Sequence, residues 1–261
     1  MALSPEEIAR CAQIVDEAAD TAELIPMLTI ERPEMTLEEA YAIQRASMVR
    51  RFERGERLLG MKMGLTSEAK MKQVGVHEPI YGHLTDEMKI EDGGVLSRAR
   101  CCHPRSEPEL CFILARDLKG PVTPEEAMEA VSGVCPALEI IDSRYKNFKF
   151  TLEDVVADNA SSRGFVLGPV TPIDGVDISA LPMKLVVNGQ TVQEGSSAAI
   201  YGHPAKSLAA QANMLARLGQ HLEAGQVVMS GGATAAVAVN VGDEVQVVVE
   251  GLGTASFRVE A

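Results

Sequence analysis

The chain has 261 residues, 46% hydrophobic and 23% charged, the balance of a folded globular protein rather than of a disordered or fibrous one. Its formal net charge of −13 argues against nucleic acid as a partner, because phosphate binding needs clustered cations to displace counterions. An anionic substrate would depend on local cations or a metal, not on the net field.

Cys11, Cys101, Cys102, Cys111 and Cys135 form no CxxC spacing that would seat zinc or a redox pair, and they read as buried thiols of a reducing compartment. The N-terminal stretch is acidic where a secretory leader has a basic start, and no segment is long and apolar enough to span a membrane. A cytoplasmic location, with no nucleic-acid and no membrane partner, is the expectation.

Ser4, Pro5 and Glu7 form a capping box, and Ile8, Cys11, Ala12, Val15 and Ala18 recur behind it at helical spacing. Thr36 and Glu39 open a second helix that carries Tyr41, Ile43, Met48 and Phe52 toward a stop at Gly55. Residues 1–55 are therefore expected to be a helical N-terminal region, and residues 56–261 a mostly β body. Short Val/Ile/Leu-rich runs predict strands at 109–115, 137–141, 164–167, 183–187, 226–229 and 244–249. Asn188-Gly189 predicts a hairpin turn, and Gly251 with Gly253 predicts the turn of the last strand pair. One helix capped by Thr123, Pro124 and Glu126, and another running from Pro204 to near Gly219, interrupt the strands. The fold class is α+β.

Five segments carry candidate chemistry. In Ser106-Glu107-Pro108-Glu109, strand periodicity puts both carboxylates on one face, continued by Cys111 and Ile113, where an unpaired charge is costly. The plain alternative is the solvated start of an edge strand marked by Pro108. Glu139 lies alone in the apolar run Pro136–Ile141, either paired with Arg144, its local ion-pair partner, or acting as the ligand of a cation. Glu107, Glu109 and Glu139 together would make an all-oxygen half-shell for Mg²⁺ or Mn²⁺. His77, His83, His103, His203 and His221 are scattered and fit surface or hydrogen-bonded roles better than zinc ligation. Lys62, between apolar residues, is either a snorkelling lysine or a buried cation that could deliver a proton or stabilise an enolate. The polar turn Asp158-Asn159-Ala160-Ser161-Ser162 could hold a carboxylate or serve as turn chemistry alone. Ser230-Gly231-Gly232 could offer backbone amides to a ligand.

Taken together, KMGLTS from Lys62, PIYG at Pro79–Gly82, EPE at Glu107–Glu109, ALEIIDSR at Ala137–Arg144, VADNASS at Val156–Ser162 and GHP at Gly202–Pro204 resemble the 2-keto-4-pentenoate hydratase and 4-oxalocrotonate decarboxylase family. The order and spacing of the six motifs match over most of the chain. The resemblance implies a fumarylacetoacetase-like mixed β-roll or sandwich body. It also implies Mg²⁺ or Mn²⁺ on Glu107, Glu109 and Glu139, Lys62 beside the substrate, and Ser161 on the substrate carboxylate, with Arg144, Asp158 and Asn159 as further substrate-binding candidates. KMGLTSEAKMKQVGVHEPIYG, SRYKNFKF and SGGATAAVAV look like the decarboxylase branch, whereas hydratases tend to show KVGLT, PDFG or PDYG, SRIRDW and a GALGPMV-like segment. The expected reaction is decarboxylation of a 2-oxo dicarboxylate, 2-oxo-3-hexenedioate, to 2-hydroxypenta-2,4-dienoate in the meta-cleavage degradation of aromatic compounds. Hydration of that dienoate is the alternative. The family resemblance further implies a homo-oligomer that associates with the pathway's hydratase. Arg144 and Lys146 are candidate cations for the distal end of the substrate and, equally, candidate members of structural ion pairs.

Overall fold

The computed structural model describes residues 2–67, 71 and 79–261; His77 and most of the segment from Ser67 to Pro79 lie outside the described residues. The two N-terminal capping boxes both form. They start α1 (Pro5–Thr21) and α3 (Leu37–Glu53), with a one-turn α2 (Leu28–Glu31) between them. Cys11, Ala12, Val15, Ala40 and Ile43 on these helices share an apolar cluster with Ile80, Tyr145, Val156 and Ala160, so the helical region packs directly on segments of the β body. The buried Gln44 amide fastens α3 there, donating to the carbonyls of Tyr81 and Val156 at 3.0 and 2.9 Å.

Strands in chain order are β1 (Leu58–Gly64), β2 (Ile80–Thr85), β3 (Lys89–Ile90), β4 (Gly94–Ser97), β5 (Pro104–Leu114), β6 (Val131–Asp142) and β7 (Ser162–Leu167). They continue with β8 (Thr171–Pro172), β9 (Pro182–Val187), β10 (Gln190–Ser196), β11 (Val227–Met229), β12 (Val237–Ala238), β13 (Glu244–Val249) and β14 (Gly253–Glu260). One mixed sheet runs β2-β1-β11-β5-β6-β7-β3, with β12 added to β5 and β8 to β6; a second runs β10-β9-β13-β14-β4. The sheets bury Leu110, Phe112, Leu138 and Ile140 of the first against Leu185, Val245, Val247 and Phe257 of the second. The described residues also form α4 (Pro124–Met128), α5 (Leu152–Ala157) and α6 (Pro204–Ala216), and the architecture is α+β.

All six predicted strands form, and the two glycine-marked turns fall where expected, with Asn188 and Gly189 both at positive φ between β9 and β10. α5 was not anticipated: Thr151 and Asp154 cap it, but it is too short to show helical periodicity. The main correction concerns β5. It is an interior strand, paired with β6 along its length and with β11 and β12 on its other side, so Glu107 and Glu109 are not at a solvated start. Pro108 is tolerated because its carbonyl points to the β11 side, where it accepts from Ala233, in the gap between the β11 and β12 ladders; its missing N–H therefore costs no bond to β6.

Candidate active site

Alternation along β5 sends Leu110 and Phe112 into the intersheet core and Arg105, Glu107, Glu109 and Cys111 to the opposite face. The β6 register sets Glu139 directly across from Glu107 and Ala137 across from Glu109. A cross-strand pair and its i+2 neighbour thus bring three carboxylates together: Glu107, Glu109 and Glu139 are 7%, 0% and 1% exposed, with one oxygen of each within 4.8 Å of the others. Among the described residues this is the group of acidic, histidine or cysteine side chains with metal-ligating geometry.

Burial pushes the Glu109 carboxyl well above its ordinary pKa, and the neighbouring charges of Glu139 and Glu107 push it further; the Gly231 amide, donating to Oε2 at 2.8 Å, pulls it back. The other oxygen of Glu109 is buried and has no hydrogen-bond partner among the described residues. Burial also raises Glu139, while Lys62 opposes that rise. An all-oxygen donor set in which one buried Glu109 oxygen has no hydrogen-bond partner among the described residues fits a hard divalent cation. The SGG segment supports the cluster from outside: a Cβ at Gly232 would stand 2.2 Å from Glu107 Oε2, and Gly231 adopts φ +107° against the Thr66 side chain. Its Gly231 amide meets a carboxylate of the protein, and its Ser230 amide the Leu110 carbonyl.

Lys62, on β1, is 2% exposed and is no snorkelling side chain. Its Nζ lies 2.8 Å from Glu139 Oε1 and donates to the Ala160 carbonyl at 2.6 Å. Lys62, not Arg144, is therefore the partner of Glu139.

Asn159, Ala160 and Ser161 all have positive φ, between 49° and 58°. This left-handed run turns the Ala160 carbonyl to Lys62 and brings Ser161 to the cavity. Arg144 and Asp158, each 1% exposed, hold one end, with Arg144 Nε donating to Asp158 Oδ1 at 2.8 Å and the remaining guanidinium N–H groups directed to the carbonyls of Asp142, Asp158 and Ser162. Burial works against the Arg144 charge, but the carboxylates of Asp158 and Asp142 outweigh it and raise its pKa. The Asn159 amide ties the other end to β2, accepting from His83 N at 2.8 Å and donating to His83 O at 3.0 Å. Gly82 permits this approach, since a Cβ there would meet the Asn159 carbonyl at 2.7 Å.

A cavity of about 460 Å³ opens on the cluster. Lys62, Glu107, Ser161 and Arg105 supply its polar side chains, and Leu65, Ile80, Ile141, Phe148, Phe150, Leu152 and Val155 much of its apolar wall. Of the sequence-derived substrate candidates Ser161 lines it, whereas Arg144, Asp158, Asn159 and Lys146 do not. Arg105 escaped notice in the sequence, although strand alternation from Glu107 places it on the cluster's face. The other histidines stand apart: His103 Nδ1 pairs with the Ser143 carbonyl, His203 caps α6, and His221 is near Asp117. Four cysteines are buried, Cys102 is half-buried, and all are free thiols.

The chain matches the fumarylacetoacetate (FAA) hydrolase C-terminal family over residues 61–260. It is 49% identical to a 4-oxalocrotonate decarboxylase of Pseudomonas sp, over 96% of this chain and 97% of that protein. Identity to a 2-hydroxyhexa-2,4-dienoate hydratase of Comamonas testosteroni is 40%, over 93% of each. The solved structure of the 4-oxalocrotonate decarboxylase from Pseudomonas putida G7, complexed with magnesium and adipate, superposes with a TM-score of 0.97 at 41% identity, covering 99% of each chain.

Proposed function

The chain belongs to the fumarylacetoacetate hydrolase family, and from that premise we propose that it is a carboxy-lyase converting 2-oxo-3-hexenedioate (4-oxalocrotonate) to 2-hydroxypenta-2,4-dienoate and CO₂ in meta-cleavage degradation of aromatic compounds. The observation that carries this reading is the buried Glu107–Glu109–Glu139 cluster at the head of an apolar-walled cavity. The higher identity to a decarboxylase than to a hydratase, both over nearly the full length, favours CO₂ loss over water addition.

Glu107, Glu109 and Glu139 are the residues that would hold Mg²⁺, with Mn²⁺ as a chemically equivalent ion for the same oxygen set. When bound, the cation supplies Lewis-acid stabilisation of the negative charge that develops on the 2-oxo oxygen. Ser161, on the cavity wall, binds the C1 carboxylate through its hydroxyl. As the C5–C6 bond breaks, its electron pair forms C4=C5, the C3=C4 pair moves to C2=C3, and the carbonyl pair passes to the 2-oxo oxygen. Lys62 delivers a proton to that oxygen, a role supported by its position on the cavity wall, with Nζ held between Glu139 and the Ala160 carbonyl. Asp158, Asn159 and Arg144 act by holding the turn that carries Ser161, a role supported by their hydrogen bonds. The apolar wall keeps water from the product diene and strengthens the polar contacts inside.

Association into a homo-oligomer and with the pathway's hydratase is supported by the family resemblance alone. A cytoplasmic location accords with five free cysteines and with the absence, among the described residues, of a helix able to cross a membrane. Purified protein given 2-oxo-3-hexenedioate and, separately, 2-hydroxypenta-2,4-dienoate with Mg²⁺ tests the reaction. CO₂ release from the first, abolished by a chelator, is expected; water addition to the second without CO₂ release from the first overturns it.

A further inference from the structure

Arg105 is a cation without an assigned task. It stands on β5 two residues before Glu107 and opposite Ile141, on the face that carries the carboxylate cluster, and it lines the same cavity. Among the described residues no carboxylate pairs with its guanidinium, in contrast to the saturated Arg144. Its Cζ lies 4.2 Å from the centroid of the Phe148 ring, a stacked cation–π arrangement that leaves the N–H edge of the fork open. The platform is itself fixed. Phe148 meets His103 and Phe150 edge-on, and its backbone is at φ 55°, a conformation a bulky residue rarely adopts.

The spacing gives this cation a ligand. Two residues along a strand advance about 6.6–6.8 Å, close to the length of a six-carbon dicarboxylate chain. A 2-oxo acid whose C1–C2 end sits at the Glu107–Glu109–Glu139 cluster therefore extends along β5 toward Arg105, over Ile141. The geometry points to Arg105 as the residue that binds the distal carboxylate and makes the site select 2-oxo dicarboxylates over 2-oxo monocarboxylates. The inference takes its ligand from the proposed reaction and names the recognition element of that site. An arginine on the departing carboxylate stabilises the bound substrate and not the neutral CO₂ that leaves, so it contributes affinity rather than barrier lowering. Stacking on Phe148 positions the guanidinium without a competing anion.

The test is calorimetric titration of the Mg²⁺-loaded protein with 2-oxoadipate and with 2-oxohexanoate, which share a six-carbon backbone and differ in the distal carboxylate. The wild-type protein is expected to prefer 2-oxoadipate, and Arg105→Gln to weaken it about 10- to 100-fold while leaving 2-oxohexanoate unchanged. Arg105→Lys restores part of the preference. Phe148→Leu, which keeps the charge but removes the platform, loses part of it and serves if Arg105→Gln fails to fold. In turnover, Arg105→Gln raises KM without lowering kcat. Equal weakening of both ligands, or a wild-type protein indifferent to the distal carboxylate, overturns the assignment. Selective binding of 2-oxoadipate without CO₂ release from 2-oxo-3-hexenedioate refutes the proposed reaction and leaves Arg105 standing; CO₂ release with unaltered selectivity in Arg105→Gln refutes Arg105 alone.

Discussion

Replacing Glu109 by Gln separates what the carboxylate cluster does for function from what it costs the fold. The side chain is fully buried, and one oxygen of each of the three carboxylates lies within 4.8 Å of the others. At an effective dielectric of about 20, two unit charges at that separation repel by about 3.5 kcal/mol. Glu109 faces two such neighbours, and Lys62 compensates only in part. Glu109 holds its proton to a higher pH than a free carboxyl does, which relieves part of this repulsion, so the recoverable stability is smaller than the Coulomb sum, about 0.5–2 kcal/mol, as for other function-imposed strain. The sign follows from the raised pKa: the protonated form is preferred in the folded state, so stability is greatest below the unfolded carboxyl pKa and declines as pH rises above it. Gln keeps the shape and the acceptor for the Gly231 amide but carries no charge to lose. Metal-free Glu109→Gln is therefore expected to melt above the wild type at pH 7.5, by about 2–4 °C per kcal/mol for a chain of this size. The order reverses with Mg²⁺. At one hundred times its Kd the ion adds about 2.7 kcal/mol to the wild type and little to the variant, which also loses turnover. Differential scanning fluorimetry with and without Mg²⁺ reads both effects. A variant that melts lower without metal and is still raised by Mg²⁺ to the wild-type extent refutes the reasoning.

Lys62→Met removes the charge beside Glu139 while keeping a buried side chain of similar reach, and turnover is expected to fall about 100-fold or more with the secondary structure retained; initial rates with 2-oxo-3-hexenedioate check it, and a loss of only a few-fold argues against proton delivery. His83 is pushed down to about 4, chiefly by burial, so between that value and its unfolded pKa near 6.5 the unfolded chain binds the extra proton and stability falls with falling pH. Urea titrations are expected to show about 3 kcal/mol of such loss at most between pH 7 and pH 4, reduced in His83→Gln; identical slopes in the two proteins exclude this origin. Gly82→Ala places a Cβ 2.7 Å from the Asn159 carbonyl and 2.9 Å from Ser162 Oγ, so the turn must shift, at a stability cost of about 1–3 kcal/mol and with a rise in KM. An unchanged KM would show that Ser161 is not placed by this contact.

The carboxylates were legible because they break strong patterns. Glu139 interrupts an apolar run, and Glu107 and Glu109 repeat at the strand period, so period alone put the pair on one face. What period cannot supply is the neighbour. The residue across from Glu107 is set by the β5–β6 register, and β11, which flanks β5, lies more than a hundred residues further along the chain. The same limit explains the wrong partner for Glu139: Arg144 is near in sequence, but the strand turns it to the Asp158 side, while Lys62 arrives from β1 on the far side of β11. Arg105 lies within reach of the alternation argument, but an arginine at a strand start is ordinary on a surface, and only the cavity distinguishes it.

The turn at 158–162 shows why polar residues near a site need not touch the substrate. Three consecutive non-glycine residues in the left-handed region cost about 1–2 kcal/mol each, a sum comparable with much of the stability of a whole domain. No single hydrogen bond at a net of about 1 kcal/mol would hold such a run. It persists between two anchors, the buried Arg144–Asp158 pair and the Asn159 amide on the β2 backbone, and α5 enters it from a capped first turn. With both ends fixed, the conformation that is costly for Ala160 aims its carbonyl at Lys62 Nζ and sets Ser161 on the cavity wall. Asp158 and Asn159 thus govern the site from a distance of one residue or two, and their substitution should disturb Lys62 and Ser161 together rather than remove a single contact.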